Sequence, residues 1–281
     1  MHIFVTGATG YVGSAVVREL IGAGHTVTGL CRSEDKAAGL KAARAEAVYG
    51  TLDDLDTLRS AAAAADGVIH LAFTNDFSDF DGALALDLRA VEAIGAALEG
   101  SGKPFITTAH ANGHTVDQAV LAMAERGIRA SIVSLAPSVH GEGDKGFVPM
   151  MIDIARAKGF AAYIGDGMNR WPAVHRLDAA VLYRLALESA PAGSRLLGAG
   201  DEGIPLREIA AVIGRQLNVP AASITPEEAA AHFGFLGPIA AFDITSLYNA
   251  EQASLATREL LGWQPMQPGL IADLEEGHYF A

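Results

Sequence analysis

Short, largely apolar runs recur through the first half of the chain, separated by amphipathic stretches. The runs are His2-Ile3-Phe4-Val5, Thr26–Cys31, Ala47-Val48-Tyr49, Val68–Ala72, Phe105–Thr108 and Ala130–Leu135. Apolar runs this short suit parallel strands covered on both faces. The stretches between them carry helical signals. Ser14-Ala15-Val16-Val17-Arg18-Glu19-Leu20 is amphipathic, and Ser33 can cap a helix with Glu34 and Asp35 in its first turn. Ala61–Ala65 is a run of good helix formers, and residues 82–99 and 115–126 read as two more helices. Strand alternating with helix predicts an α/β fold with a doubly wound parallel sheet.

Beyond Pro137 the rhythm changes. Glycines and prolines cluster around 141–149 and 165–172. Helical patterns cover Asp178–Ser189 and Pro205–Leu217, and Thr225-Pro226-Glu227-Glu228 is a capping box with proline at the first helical position. The pattern predicts a first domain over residues 1–141, with returning segments near 174–200. A smaller, mostly helical lobe follows over 142–281.

Composition narrows the class. Half of the 281 residues are apolar, enough for a sizeable core, and the net charge of −13 argues against nucleic acid or an anionic membrane as main partner. The single cysteine, Cys31, lies in an apolar strand and reads as a small core residue. The chain enters a strand at residue 2 and has no apolar run of membrane-spanning length, so a soluble, cytoplasmic protein is expected. The helical faces permit a homodimer.

The chemistry begins at Thr6-Gly7-Ala8-Thr9-Gly10-Tyr11-Val12-Gly13, between the first strand and the first helix. Three glycines there permit a tight turn, a close approach of phosphate to backbone, and close packing of helix on strand. The helix N-terminus then offers free N–H groups and a positive dipole end to an anion. Gly7, Thr9, Gly10, Tyr11, Val12 and Gly13 are therefore the expected pyrophosphate site, and residues 1–141 the dinucleotide-binding domain. The second strand ends in Leu30-Cys31-Arg32-Ser33 instead of the acidic residue that would bind a ribose 2′-hydroxyl. Arg32 and Ser33 suit a 2′-phosphate, so NADP(H) is expected over NAD(H).

With these motifs the chain resembles the short-chain dehydrogenase/reductase superfamily, in its extended and atypical branches related to the NAD-dependent epimerase/dehydratase family. The resemblance implies a Rossmann-type sheet with a substrate lobe. It implies that Asp54, followed by Leu55, lies against the adenine, with Asp53 the alternative. It also implies that Leu71-Ala72-Phe73 and Thr107 line the cofactor. Pro137-Ser138-Val139 would hold the nicotinamide amide through the backbone, and Gly165-Asp166-Gly167 with Trp171–His175 and Asp178 would lead back to the sheet.

The superfamily's catalysis uses a Ser or Thr at the end of the fifth strand and Tyr-x-x-x-Lys on the next helix. Thr108 matches the hydroxyl better than Thr107, but no tyrosine in this chain has lysine four residues on. Ala109 and Gly113 fall near the expected tyrosine and lysine positions. A histidine near the predicted active face, His110, His114 or His140, can act as acid instead, as can water. His110-x-x-x-His114 has a spacing seen in metal sites, but Asn112-Gly113 opposes a helix there, so no metal is expected.

Phe73, Phe77, Phe80, Phe147 and Trp171 suggest an aromatic wall, with Phe77, His140, Phe147 and Trp171 the expected substrate contacts. Packing between lobes is the other reading of these rings. Asp76, Asp79 and Asp81 read as a solvated rim, and Asn169-Arg170-Trp171 as a polar hook or a stitch between lobes. The expected function is an NADP(H)-dependent oxidoreductase acting on a small, largely apolar carbonyl or conjugated-alkene compound. Two alternatives stay open: an epimerase or isomerase with transiently reduced cofactor, and a cofactor-binding regulator of the NmrA type.

Overall fold

The apolar runs of the first half become strands laid edge to edge in a computed structural model that describes residues 1–74, 79–110 and 113–280. In chain order they are β1 (His2–Thr6), α1 (Tyr11–Gly22), β2 (Thr26–Cys31), α2 (Glu34–Ala42), β3 (Glu46–Tyr49), α3 (Leu55–Ala64) and β4 (Gly67–His70). Then come α4 (Phe80–Leu98), β5 (Pro104–Thr108), α5 (His114–Ala122) and β6 (Arg129–Leu135). With the later strand Arg195–Gly198 they form a seven-stranded sheet, which continues from that strand through β6, β5, β4, β1, β2 and β3. The β1–β2, β1–β4, β2–β3, β4–β5 and β5–β6 pairs all run parallel.

The order reverses between β1 and β4, which are sheet neighbours although two strands separate them in sequence. Such a reversal opens a crevice beyond the strands' carboxyl ends. Phe4, Leu58, Val68, Ile94, Leu98 and Phe105 are fully buried in the core that backs it.

Three boundaries differ from the sequence pattern. The fourth strand ends at His70 rather than Ala72: the Leu71 N–H is shared between the Thr6 carbonyl at 3.3 Å and the Thr6 hydroxyl at 3.2 Å, and the Ala72 N–H turns to that hydroxyl at 3.2 Å. The helix read over 115–126 is α5 followed by a 3-10 turn, Met123–Arg126, which ends at Gly127 with φ +70. The helix read over 82–99 runs from Phe80 to Leu98, and Asp79, exposed as expected of a rim residue, caps it by accepting from the Gly82 N–H at 3.0 Å.

The chain divides into two units. Unit 1 comprises Met1–Ser134, Ala179–Leu196 and Glu259–Trp263; unit 2 comprises Leu135–Asp178, Leu197–Arg258 and Gln264–Ala281. After β6 the chain forms β7 (Ser138–His140), α6 (Phe147–Lys158), β8 (Ala161–Ile164), β9 (Arg170–His175), α7 (Arg176–Ser189), β10 (Arg195–Gly198), β11 (Asp201–Pro205), α8 (Leu206–Leu217), β12 (Ala221–Ile224) and α9 (Pro226–Phe233). Helices Ala250–Leu261 and Leu270–Glu275 lie further on.

Unit 2 also holds two small sheets that the periodicity did not resolve. In one, β9 pairs in parallel with β7 and antiparallel with β11; in the other, β8 and β12 pair in parallel. Its core gathers Trp171, Ala173, Leu206, Ile209, Leu270 and Leu274, all essentially inaccessible. The capping box of α9 forms as the sequence predicts, with Thr225 and Glu228 bonding each other's backbone N–H. Among the described residues no single helix is long and apolar enough to cross a membrane.

Candidate functional site

The glycine loop is as tight as its sequence implies. Gly7 sits at φ +66, and a Cβ there would lie 2.7 Å from the Leu71–Ala72 backbone. A Cβ on Gly13 would overlap the Gly7 carbonyl, which itself accepts from the Gly10 N–H at 2.9 Å. Helix α1 begins at Tyr11, after Gly10 at its N-cap, with no side-chain cap and no acidic residue in its first turn. Its N–H groups and positive dipole end therefore face outward for an anion. Tyr11 and Val12, in that first turn, are half-buried.

A cleft of about 370 Å³ opens above the loop, wholly within unit 1. Gly7, Thr9 and Gly10 form one wall; Leu30, Cys31 and Arg32 at the end of β2 form another, with Lys36 of α2 beside them. Gly50–Asp53, Ala72–Thr74 and Leu86 complete it. A glycine loop packed too closely on its own backbone for any Cβ at Gly7 or Gly13, ending in an uncapped helix N-terminus beside the cleft, fits a dinucleotide pyrophosphate, and the apolar Leu30 and Leu52 beside two cations fit a phosphorylated adenosine.

Of the two adjacent carboxylates, Asp54 is committed to α3. It caps that helix, accepting from the Thr57 N–H at 3.2 Å and the Thr57 hydroxyl at 2.7 Å. Asp53 lines the cleft, with a loose ion pair to Arg89 at 3.7 Å. Ser33 is exposed before α2, and its hydroxyl makes no capping bond.

A second group of polar residues lies at the carboxyl ends of β4 and β5. His70 is buried between the Thr6 hydroxyl, 2.8 Å from Nδ1, and Asp87 Oδ1, 2.9 Å from Nε2. The other oxygen of Asp87 faces His110 Nε2 at 3.9 Å. The His110 ring stacks on Phe73, centroids 3.9 Å apart and planes 22° from parallel. Burial pushes the His110 pKa below the ordinary histidine value, and the Asp87 carboxylate pulls it partly back.

Thr108 Oγ1 is 2.7 Å from the hydroxyl of Tyr183, a fully buried residue of α7, and 3.4 Å from the His70 carbonyl. Burial raises the Tyr183 pKa well above the ordinary phenol value, so this hydroxyl keeps its proton. Thr107 is buried in the sheet.

Other expected contacts fall elsewhere. His114 opens α5 with an exposed side chain, while His110 points to the buried carboxylate. Phe77 lies outside the described residues. Pro137 is half-buried and precedes β7, whose residues Ser138, Val139 and His140 pair with Ala173, Val174 and His175 of β9.

His140 and Trp171, read as substrate contacts, are corrected. His140 is fully buried and holds Asp273 Oδ2 at 2.8 Å. Trp171 is fully buried in the unit 2 core, with Phe147 packed edge-on against it at 5.8 Å. An aromatic ring on a strand of apolar neighbours serves a core as readily as a cleft, and here the core took Trp171.

Sequence reasoning missed Lys36, His70, Asp87 and Tyr183. Lys36 was within reach, one helical turn past Arg32. The other three depend on pairings that only the folded sheet creates.

A family model described as the NAD dependent epimerase/dehydratase family matches residues 3–83. An uncharacterized Schizosaccharomyces pombe protein is 46% identical over 301 residues, covering 100% of both chains. A 4-hydroxy-2-methyl-3-oxo-4-farnesyl-3,4-dihydroquinoline-1-oxide ketoreductase of Stigmatella aurantiaca is 25% identical over 267 residues, covering 83% of this chain and 80% of its own. A dTDP-glucose 4,6-dehydratase of Streptomyces venezuelae, solved with NAD bound, shares the fold with a TM-score of 0.74. It is 16% identical and covers 99% of this chain and 96% of its own.

Proposed function

The chain belongs to the NAD dependent epimerase/dehydratase family, and from that premise we propose that it is an NADP(H)-dependent reductase of small, largely apolar carbonyl or conjugated-alkene compounds. The observation that carries the cofactor choice is the pair Arg32 and Lys36 in the same cleft as the glycine loop, with no carboxylate at the end of β2. A 2′-phosphate meets two cations there, whereas the acidic residue that would accept from a 2′-hydroxyl at the end of β2 is replaced by Arg32. The ketoreductase relative supports a carbonyl substrate over an alkene.

Bound NADPH supplies hydride to the carbonyl carbon. The protein's share is orientation and a proton. The Tyr183 hydroxyl fixes Thr108 at 2.7 Å, and the threonine's proton, held by a long bond to the His70 carbonyl at 3.4 Å, would turn from it to the carbonyl oxygen of the substrate. His110, stacked on the cleft residue Phe73, is the acid that protonates that oxygen.

The test is NADPH binding by titration, followed by NADPH absorbance across a panel of ketones, aldehydes and enones. Steady oxidation with alcohol formed, or saturated ketone from an enone, is the expected result. Conversion without net oxidation would replace this reading with an epimerase or isomerase. Binding without any conversion would leave a cofactor-binding regulator.

A further inference from the structure

Asp87 is a carboxylate buried in the middle of α4, facing a histidine with each oxygen. How His70 meets it follows from the Thr6 hydroxyl. Thr6 Oγ1 accepts from two backbone donors, Leu71 N–H and Ala72 N–H, each at 3.2 Å. Both of its lone pairs are then used, so its single proton goes to His70 Nδ1 at 2.8 Å. His70 Nδ1 is thus an acceptor, and Nε2 carries the proton donated to Asp87 Oδ1. In that arrangement His70 bonds only one oxygen of the carboxylate. The second oxygen faces His110, whose ring Phe73 holds in plane.

We propose that Asp87 is the positioning residue of a histidine acid: its carboxylate faces the Nε2 side of His110 and stabilises the imidazolium, leaving Nδ1–H as the proton delivered to substrate. This rests on the reductase reading above. In the step, the Nδ1–H bond breaks as an O–H bond forms on the substrate alkoxide. The N–H electron pair stays on the imidazole, and solvent returns the proton. At 3.9 Å the Asp87–His110 pair is a charge contact without a hydrogen bond, and protonation of the ring draws the two together.

Two other groups bear on His110. His70 of β4 works against its protonation while bonding the other oxygen of Asp87. Asp117 of α5 adds weak attraction for the imidazolium, its carboxylate being tied to Arg195 at 2.8 Å. The arrangement has the logic of an acid–base histidine oriented by a buried carboxylate, built from α4 and the end of β5.

The test is nitrogen-15 NMR of the imidazoles in the full chain without cofactor, which needs no turnover. In the wild type, His70 is expected with its proton on Nε2; a proton on Nδ1 would overturn the proposal without any substitution. In Asp87→Asn, the His110 titration midpoint is expected to fall by roughly one pH unit or more, since an adjacent opposite charge moves a pKa by about that much. An unmoved midpoint would overturn it.

In turnover, the acid must be protonated, so the high-pH limb of the kcat profile should shift down by the same amount while KM for NADPH stays put. A profile that keeps its midpoint and loses height throughout would also overturn the proposal. If the midpoint moves and no carbonyl is reduced at any pH, the reductase reading falls and the Asp87–His110 coupling stands.

Discussion

Arg32 and Lys36 are exposed, and each carries a full charge at the rim of the cleft. Neither is tied into an ion pair among the described contacts, so both are available to a ligand phosphate. Arg32→Ala is expected to weaken NADPH by roughly 10- to 100-fold, the worth of a charge-assisted hydrogen bond, and to leave NADH nearly unchanged. Lys36→Ala should act in the same direction with a smaller effect, since a lysine meets phosphate as a point charge and an arginine as a fork. Titration of each variant with both cofactors decides it; equal loss for NADH and NADPH would refute the 2′-phosphate assignment.

The same scale explains which residues the sequence could reveal. Gly7, Gly10 and Gly13 were legible because their spacing is local and each has one physical task. His70 and Asp87, seventeen residues apart, were not, because their contact exists only after α4 packs back over the end of β4.

At the scale of elements, the parallel strands of unit 1 were readable because burial on both faces writes a continuous apolar run. The strands of unit 2 were less so. β8 and β12 are four residues each and sit among glycines and prolines, where neither helical nor alternating periodicity develops.

The N-terminus of α3 shows the same limit at finer grain. Two aspartates stand side by side, and only the fold separates the one that caps from the one that lines the cleft. Asp54→Ala should therefore cost about 1 kcal/mol of stability, the usual worth of an N-cap, with cofactor affinity retained. Asp53→Ala should do the reverse, weakening NADPH and NADH alike with an unchanged melting temperature. Melting curves and titrations of the two variants check this; a cofactor defect in Asp54→Ala alone would put the adenine contact one residue later.

For the whole molecule, a net charge of −13 sets the problem that the cleft must solve. The chain at large repels a dinucleotide that carries several phosphate charges, so affinity has to come from short-range donors. In the proposed reading those donors are the uncapped amides of α1 and the Arg32–Lys36 pair, all within unit 1. A ligand that binds only the folded state stabilises it by mass action, about 2.7 kcal/mol at a hundredfold excess over Kd. For a chain of this size that corresponds to a rise in melting temperature of roughly 5 °C.

NADPH is expected to produce that rise at a concentration where NADH produces distinctly less. Arg32→Ala should erase the difference between the two cofactors and keep the smaller rise common to both. Added salt should narrow the gap as well, because the two cations are exposed and screening weakens their hold on the 2′-phosphate. A gap that survives both Arg32→Ala and high salt would mean that selectivity lies in a buried contact, away from the end of β2.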